Sequence, residues 1–249
     1  MISALLLAVI LGLLLPWVLI PLKSRVLFAI LPVLPLALVY AKLIASRRTG
    51  PAIAAAVLWS LAISVSTIGA TAAFTEGAMK TIWHAAGFRD EMVRWIATGQ
   101  GPEGNLAQFL PRVLLEFALV LSLSAVSVGA AALLLGGLLL GYMNGYVGWV
   151  VVHSDPTVHP WLVALTAWPP WSMCRVMSFI FAGTAAALWG FPRLIRKGAP
   201  REPVGRLVVA SLALLLLDIG LKWWLAPLWR DLLRGLLGAS AGLEAGGSG

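Results

Sequence analysis

Apolar runs long enough to cross a bilayer recur along this chain, separated by short clusters of basic residues. A membrane-spanning helix needs roughly 20 predominantly apolar residues. Residues 2–22 supply the first run, closed by Pro21, Lys23 and Arg25. It lacks a basic leading segment and a small-x-small cleavage site, so it reads as a retained anchor and not a signal peptide. Residues 26–45 supply the second, kinked by Pro32 and Pro35 and closed by Lys42, Arg47 and Arg48. Gly50-Pro51 marks a turn and helix start, and 52–74 makes the third. Its Ser60, Ser64, Ser66, Thr67 and Gly69 are small or hydroxyl residues of the kind that let membrane helices approach closely.

The pattern changes over 76–112. Lys80, Arg89, Arg94 and Arg112 balance Glu76, Asp90, Glu91 and Glu103, so the segment is neutral. Met79, Ile82, Trp83 and Ala86, then Met92, Val93 and Ile96, follow the spacing of an amphipathic helix. Gly87 interrupts the rhythm and Gly99 to Gly104 forms a loop. The segment is expected to lie on the membrane surface, with Trp83 and Trp95 at the headgroups.

From 113 to 152 the chain is apolar for twice the length of one crossing, so it must turn. Gly136-Gly137 and the Gly141–Gly145 run predict a tight helical hairpin near 136–145, with 138–153 either crossing fully or re-entering the membrane. A loop follows from His153 to Pro160. Trp161 to Phe191 forms another span, interrupted by Trp168-Pro169-Pro170-Trp171, and 207–227 forms the last, followed by a short helix from Trp229 to Leu237. The 193–206 loop carries Arg193, Arg196, Lys197, Arg201 and Arg206 against Glu202. Basic loops face the cytoplasm. The pattern therefore predicts an all-α polytopic transmembrane bundle of six or seven spans, N-terminus inside, in the cell (inner) membrane, with 76–112 as a short extracytoplasmic amphipathic segment. Three regions are expected: a two-helix hairpin over 1–50, a membrane core over 51–237 and a flexible tail over 238–249.

Composition agrees. Of the 249 residues 60% are hydrophobic and 11% charged, and the mean hydropathy is +0.93. Soluble domains sit near 45–50% and about 25%. The net charge of +8 is a topology signal carried by the loops, and no nucleic-acid partner is expected. The single cysteine, Cys174, excludes an intrachain disulfide and a cysteine-pair zinc site.

Candidate chemistry is sparse. His153, Asp155 and His159 are loosely spaced and read as a polar interfacial loop in preference to a zinc site or a pH-sensitive contact. Ionisable groups inside spans each cost several kcal/mol unless paired or hydrated. Asp218 and Lys222 lie four apart and are expected to pair with each other. Glu116 and Arg175, a few residues inside their spans, are expected to snorkel, with a cross-helix Arg175–Asp218 pair as the sharper alternative. Gly137, Gly141 and Gly145 form a small-xxx-small series suited to close packing within the chain or to an oligomer interface. Asn144 beside them suits a cap or a cross-helix hydrogen bond. Phosphate-loop, dinucleotide, HExxH and nucleophile-elbow patterns are absent, so neither an enzyme nor a cofactor is expected.

At Leu-Leu-Gly-Gly-Leu-Leu-Leu-Gly-Tyr-Met-Asn-Gly-Tyr-Val-Gly (134–148) the chain resembles the stage II sporulation protein M family of membrane proteins. The flanks extend the resemblance over roughly 55–227: the amphipathic segment, Ser122 to Gly129 leading in, and the proline step at Trp168-Pro169-Pro170. Residues 1–50 are an addition to that pattern. Where family members carry a His-Gly and a glutamate, this chain has Trp168 to Trp171 and Arg175. The resemblance implies a non-enzymatic scaffold that recruits partners such as stage II sporulation proteins D and P, which remodel septal cell wall. Trp83, Trp95, Gly137, Gly141, Asn144 and Gly145 are then the interaction candidates, with membrane lipids and a second copy of the chain as further partners. The rival expectation is a transporter or transporter subunit. A carrier should show a polar cavity reaching Glu116, Arg175, Asp218 and Lys222, whereas a scaffold should be closed and apolar inside.

Overall fold

A computed structural model describes residues 2–194 and 204–238, and among these every regular element is helical. Six helices are long and apolar enough to cross a membrane, so the chain is an all-α polytopic membrane protein. The elements run α1 (Ile2–Leu19), α2 (Arg25–Ile30), α3 (Leu34–Ala45), α4 (Thr49–Ala73), α5 (Thr75–Thr81), α6 (Ala85–Thr98), α7 (Leu106–Ser127), α8 (Ala130–His153), α9 (Pro160–Ala167), α10 (Ser172–Leu194) and α11 (Val204–Leu237). α2 and α3 together make one span broken at Pro32, and α1 is a shorter apolar helix beside it. Trp59 closes the break by donating its indole N–H to the Pro32 carbonyl at 2.9 Å.

Connections fix which elements share an end. The Arg25 guanidinium donates to the Lys80 carbonyl at 2.7 Å, the Thr81 hydroxyl to the Ile20 carbonyl at 3.3 Å, and the Asp155 N–H to the Leu236 carbonyl at 3.0 Å. The 20–24 turn, α5, α6, the 154–159 loop, α9 and the end of α11 therefore form one thick end. The 46–48 turn, the α7–α8 turn, the end of α10 and the start of α11 form the thin end; residues 195–203 of the basic 193–206 segment lie outside the described residues. The tail beyond Gly238 lies outside them as well.

α11 shows why the thick end is thick. Its 34 residues reach about 51 Å at ~1.5 Å each, well beyond a ~30 Å hydrocarbon core. The last turns continue as one helix through Pro227, in place of the separate Trp229–Leu237 helix expected, and dock on α6. Arg234 caps the α6 C-terminus by donating to the carbonyls of Ile96 and Ala97 at 2.7 and 2.6 Å, where a cation complements the helix dipole. Trp229 packs between Trp95 and Trp171, ring centroids 5.6 and 5.1 Å away, and donates to the Thr166 carbonyl. Trp95 is thus buried in a tryptophan cluster, which corrects its placement at the headgroups. Trp83, 62% exposed, does face outward.

The turn in the long apolar run is also displaced. α8 is unbroken from Ala130 to His153, which rules out the hairpin near 136–145 and makes 138–153 part of one helix long enough to cross. The reversal occurs at Val128 and Gly129, both left-handed, at φ 56° and 88°. Gly129 is required there twice over, by its φ and because a Cβ would sit 2.5 Å from the Tyr40 ring. Gly137, Gly141, Gly145 and Gly148 serve close approach instead of chain reversal.

Candidate functional site

Charged side chains from α6, the 3-10 turn Pro102–Gly104, α7, α10 and α11 converge beneath the thick end. The proline step puts Arg175 there. Pro169-Pro170 ends α9 and restarts the helix at Ser172, so Arg175 lies in the first turn of α10, below the tryptophan cluster. Its guanidinium meets the Asp218 carboxylate through two roughly parallel hydrogen bonds of 3.0 and 3.2 Å. Such bidentate pairs are the strong, directional kind. Asp218 is fully buried, so the pairing offsets a large desolvation cost.

Lys222 lies one turn further along α11, and its ammonium reaches the Glu103 carboxylate at 2.9 Å and the Phe109 ring at 3.9 Å from the centroid. Asp218 and Lys222 therefore do not pair with each other as the i, i+4 spacing suggested. Each is claimed across a helix boundary, and the cross-helix Arg175–Asp218 pair forms. Arg112 is held more loosely, 3.4 Å from Glu116 and 3.6 Å from Glu91, both longer than a good hydrogen bond. Arg175 does not snorkel: its side chain is 16% exposed and turned inward to Asp218. Glu116, 13% exposed, also faces inward.

Glu103, Arg112, Glu116, Arg175 and Lys222 line a narrow chamber together with Tyr142, Phe109 and Trp171, with Glu91 and Asp218 paired behind its wall. Glu116, Tyr142, Met143, Ser172 and Arg175 also line a second, larger space of about 820 Å³, counting its mouth. That space is an apolar cleft running between α8 and α10 toward Gly129 and Gly183 at the thin end. Glu103, Phe109 and Lys222 in turn separate the chamber from an outer cavity of about 290 Å³ lined by Trp95, Asn105, Trp223 and Arg230. Outer cavity, charged chamber and apolar cleft thus follow one another through the bundle.

Other expected residues take structural positions. A Cβ on Gly137 would meet Val33 at 2.6 Å, one on Gly141 would meet Phe28 at 3.4 Å, and one on Gly145 would meet Ile82 and Ala85 at 3.3 and 3.4 Å. Their faces are filled within the chain. Asn144 is fully buried and bridges α4 to the proline step, donating to Ser64 at 2.9 Å and accepting from the Trp168 indole at 2.8 Å. His153 stacks on Trp149 and Asp155 bonds locally, with no group of three metal-ligating side chains among the described residues. The Asp155 carboxyl lies below the ordinary carboxylate range because the Thr157 hydroxyl and N–H both donate to it.

Sequence reasoning singled out Arg175, Asp218, Lys222 and Glu116 but not Glu103, Phe109, Arg112 or Tyr142. One signal for Glu103 was present: an acidic residue inside a Gly99–Gly104 loop flanked by apolar spans.

No protein-family model, no curated protein and no solved structure matches this chain.

Proposed function

We propose that this membrane protein is a carrier, or the ligand-binding subunit of one, and not a closed scaffold. The observation that supports this reading is the charged chamber that lies between an outer cavity and an apolar cleft and shares lining side chains with each. A helix broken at Pro169-Pro170 with a cation at the restart is the kind of discontinuous element carriers use to build sites. Lys42, Arg47 and Arg48 at the thin end, with the excess of arginine and lysine in the sequence over 193–206, favour a cytoplasmic thin end, with the N-terminus in the cytoplasm and the outer cavity facing outward. The scaffold role implied by the resemblance at 134–148 draws support from exposed Trp83 alone, because Trp95 and the three glycines are occupied within the chain.

A thiol at Met143, which lines both chamber and cleft, tests the reading in a Cys174→Ser background. In proteoliposomes of phosphatidylcholine alone, a membrane-impermeant maleimide applied to the thick end is expected to modify Met143→Cys within minutes. A folded protein whose Met143→Cys stays unmodified from both faces would have a closed interior, and the carrier reading would fail.

A further inference from the structure

We propose that cleft and chamber together hold one membrane lipid with a singly negative headgroup, and that Glu103 occupies the headgroup's place on Lys222 when the lipid is absent. This rests on the carrier reading and names its ligand class.

The cleft has the dimensions of a lipid chain. Along α8 it runs from Gly129 to Met143, 14 residues or about 21 Å at ~1.5 Å each, against ~15 Å for the hydrocarbon half of a bilayer. Its walls are chiefly apolar: Val120, Leu133, Leu139, Val176, Phe179 and Ile180 among others. A solute in water has no use for such a length of hydrocarbon wall. A Cβ on Gly136 would meet nothing within 4 Å, so this face of α8 is empty where its other face is tightly filled.

The chamber lies at headgroup depth. Trp223 and Trp224 are 72% and 69% exposed on α11, and such exposed tryptophans mark the boundary between hydrocarbon and water. Lys222 adjoins them, and Asp218 is five residues below Trp223, about 7.5 Å along the helix. A lipid with its head in the chamber would thus point its chain down the cleft, as a lipid of that leaflet does.

The charge balance sets the sign of the head. Arg112, Arg175 and Lys222 face Glu91, Glu103, Glu116 and Asp218. Arg175 is committed to Asp218 by two hydrogen bonds, while Lys222 is held by one carboxylate on a single 3-10 turn between Gly101 and Gly104. Withdrawing Glu103 and admitting a phosphodiester or carboxylate leaves the total charge of the chamber unchanged. It also joins the chamber to the outer cavity, since Glu103 lines both. A zwitterionic head would bring an extra cation beside Lys222 and Arg112 and lose that match.

Photolabelling in nanodiscs tests this with three chain-diazirine probes: phosphatidylglycerol, phosphatidylcholine and a fatty acid. Phosphatidylglycerol is expected to label cleft residues between 130 and 140 and between 176 and 183 at least fivefold more than phosphatidylcholine. Fatty-acid labelling equal to that of phosphatidylglycerol assigns the site to any single negative charge, and its absence assigns it to a phosphodiester; both support the proposal. Glu103→Gln should raise phosphatidylglycerol labelling several-fold, Gly136→Trp should abolish it, and Glu103→Gln/Lys222→Gln, which leaves neither charge unpaired, should erase the headgroup preference. Equal labelling by phosphatidylcholine, or no response to Glu103→Gln in a variant with unchanged melting temperature, overturns the proposal. Maleimide reactivity of Met143→Cys in nanodiscs of phosphatidylcholine alone, where no lipid of the favoured charge covers the thiol, separates the two claims. A reactive thiol without cleft labelling sinks the lipid and keeps the carrier; an unreactive thiol sinks both.

Discussion

Two halves of one helix behave as though they belonged to different proteins. Over 130–139, α8 is half-buried at every residue and walls the cleft; over 140–150 every residue but Met143 is buried. Both halves are rich in glycine and aliphatic residues. What differs is the partner. The second half lies against α4, α5 and α6 so closely that a Cβ on Gly148 would sit 2.6 Å from the Ile68 carbonyl and the Thr71 side chain. In the first half Gly137 is held against Val33, but on the cleft side a Cβ on Gly136 would enter open space. In lipid, glycine alone drives nothing; it permits close contact where a neighbouring backbone is delivered to it. The charged chamber sits at the seam between the two regimes, rigid on one side and open on the other.

Substitutions can break the comparison at three levels. At the seam, Asp218→Asn leaves the buried Arg175 guanidinium without its counter-charge, which typically costs about 3–5 kcal/mol. Thermal or denaturant unfolding in detergent should show that loss, and Arg175→Gln on top of it should recover part. A destabilisation under 1 kcal/mol would mean that water, not Asp218, already solvates Arg175. In the packed half, Gly148→Ala should cost about 1–3 kcal/mol, because backbone and not a flexible side chain stands in the way. In the open half, Gly136→Ala should be the smallest change and of opposite sign, a gain of up to about 1 kcal/mol from helix propensity. The same substitution on the same helix thus reads the difference directly, and equal costs at 136 and 148 would erase it.

Much of the architecture was legible because bilayer thickness imposes a length on apolar runs, and that constraint needs no tertiary knowledge. The reversal between α7 and α8 was legible as a necessity but not as a place. Gly129 is one glycine among 25, and only its positive φ and the Tyr40 ring packed over it single it out in the fold. Trp95 was misplaced for a related reason. Phe88, Met92, Trp95 and Ile96 do make an amphipathic stripe, but a stripe does not say whether lipid or another helix covers it, and α11 proves long enough to reach it. In the site, the buried charges announced themselves by their cost, and the Arg175–Asp218 pair was among the pairings open to them. The Glu103–Lys222 pair joins residues 119 positions apart through a loop whose fold depends on the tryptophan cluster, so no local pattern marks it.

The openness of the cleft is the claim on which the functional reading depends, and spin labels read it most directly. In a Cys174→Ser protein in nanodiscs, a nitroxide at Gly136→Cys is compared with one at Val147→Cys, which is fully buried in the packed half. The account predicts a mobile, oxygen-accessible label at 136 and an immobilised, inaccessible one at 147. Equal immobilisation at both positions in a folded protein would show α8 packed along its whole length and would contradict the account.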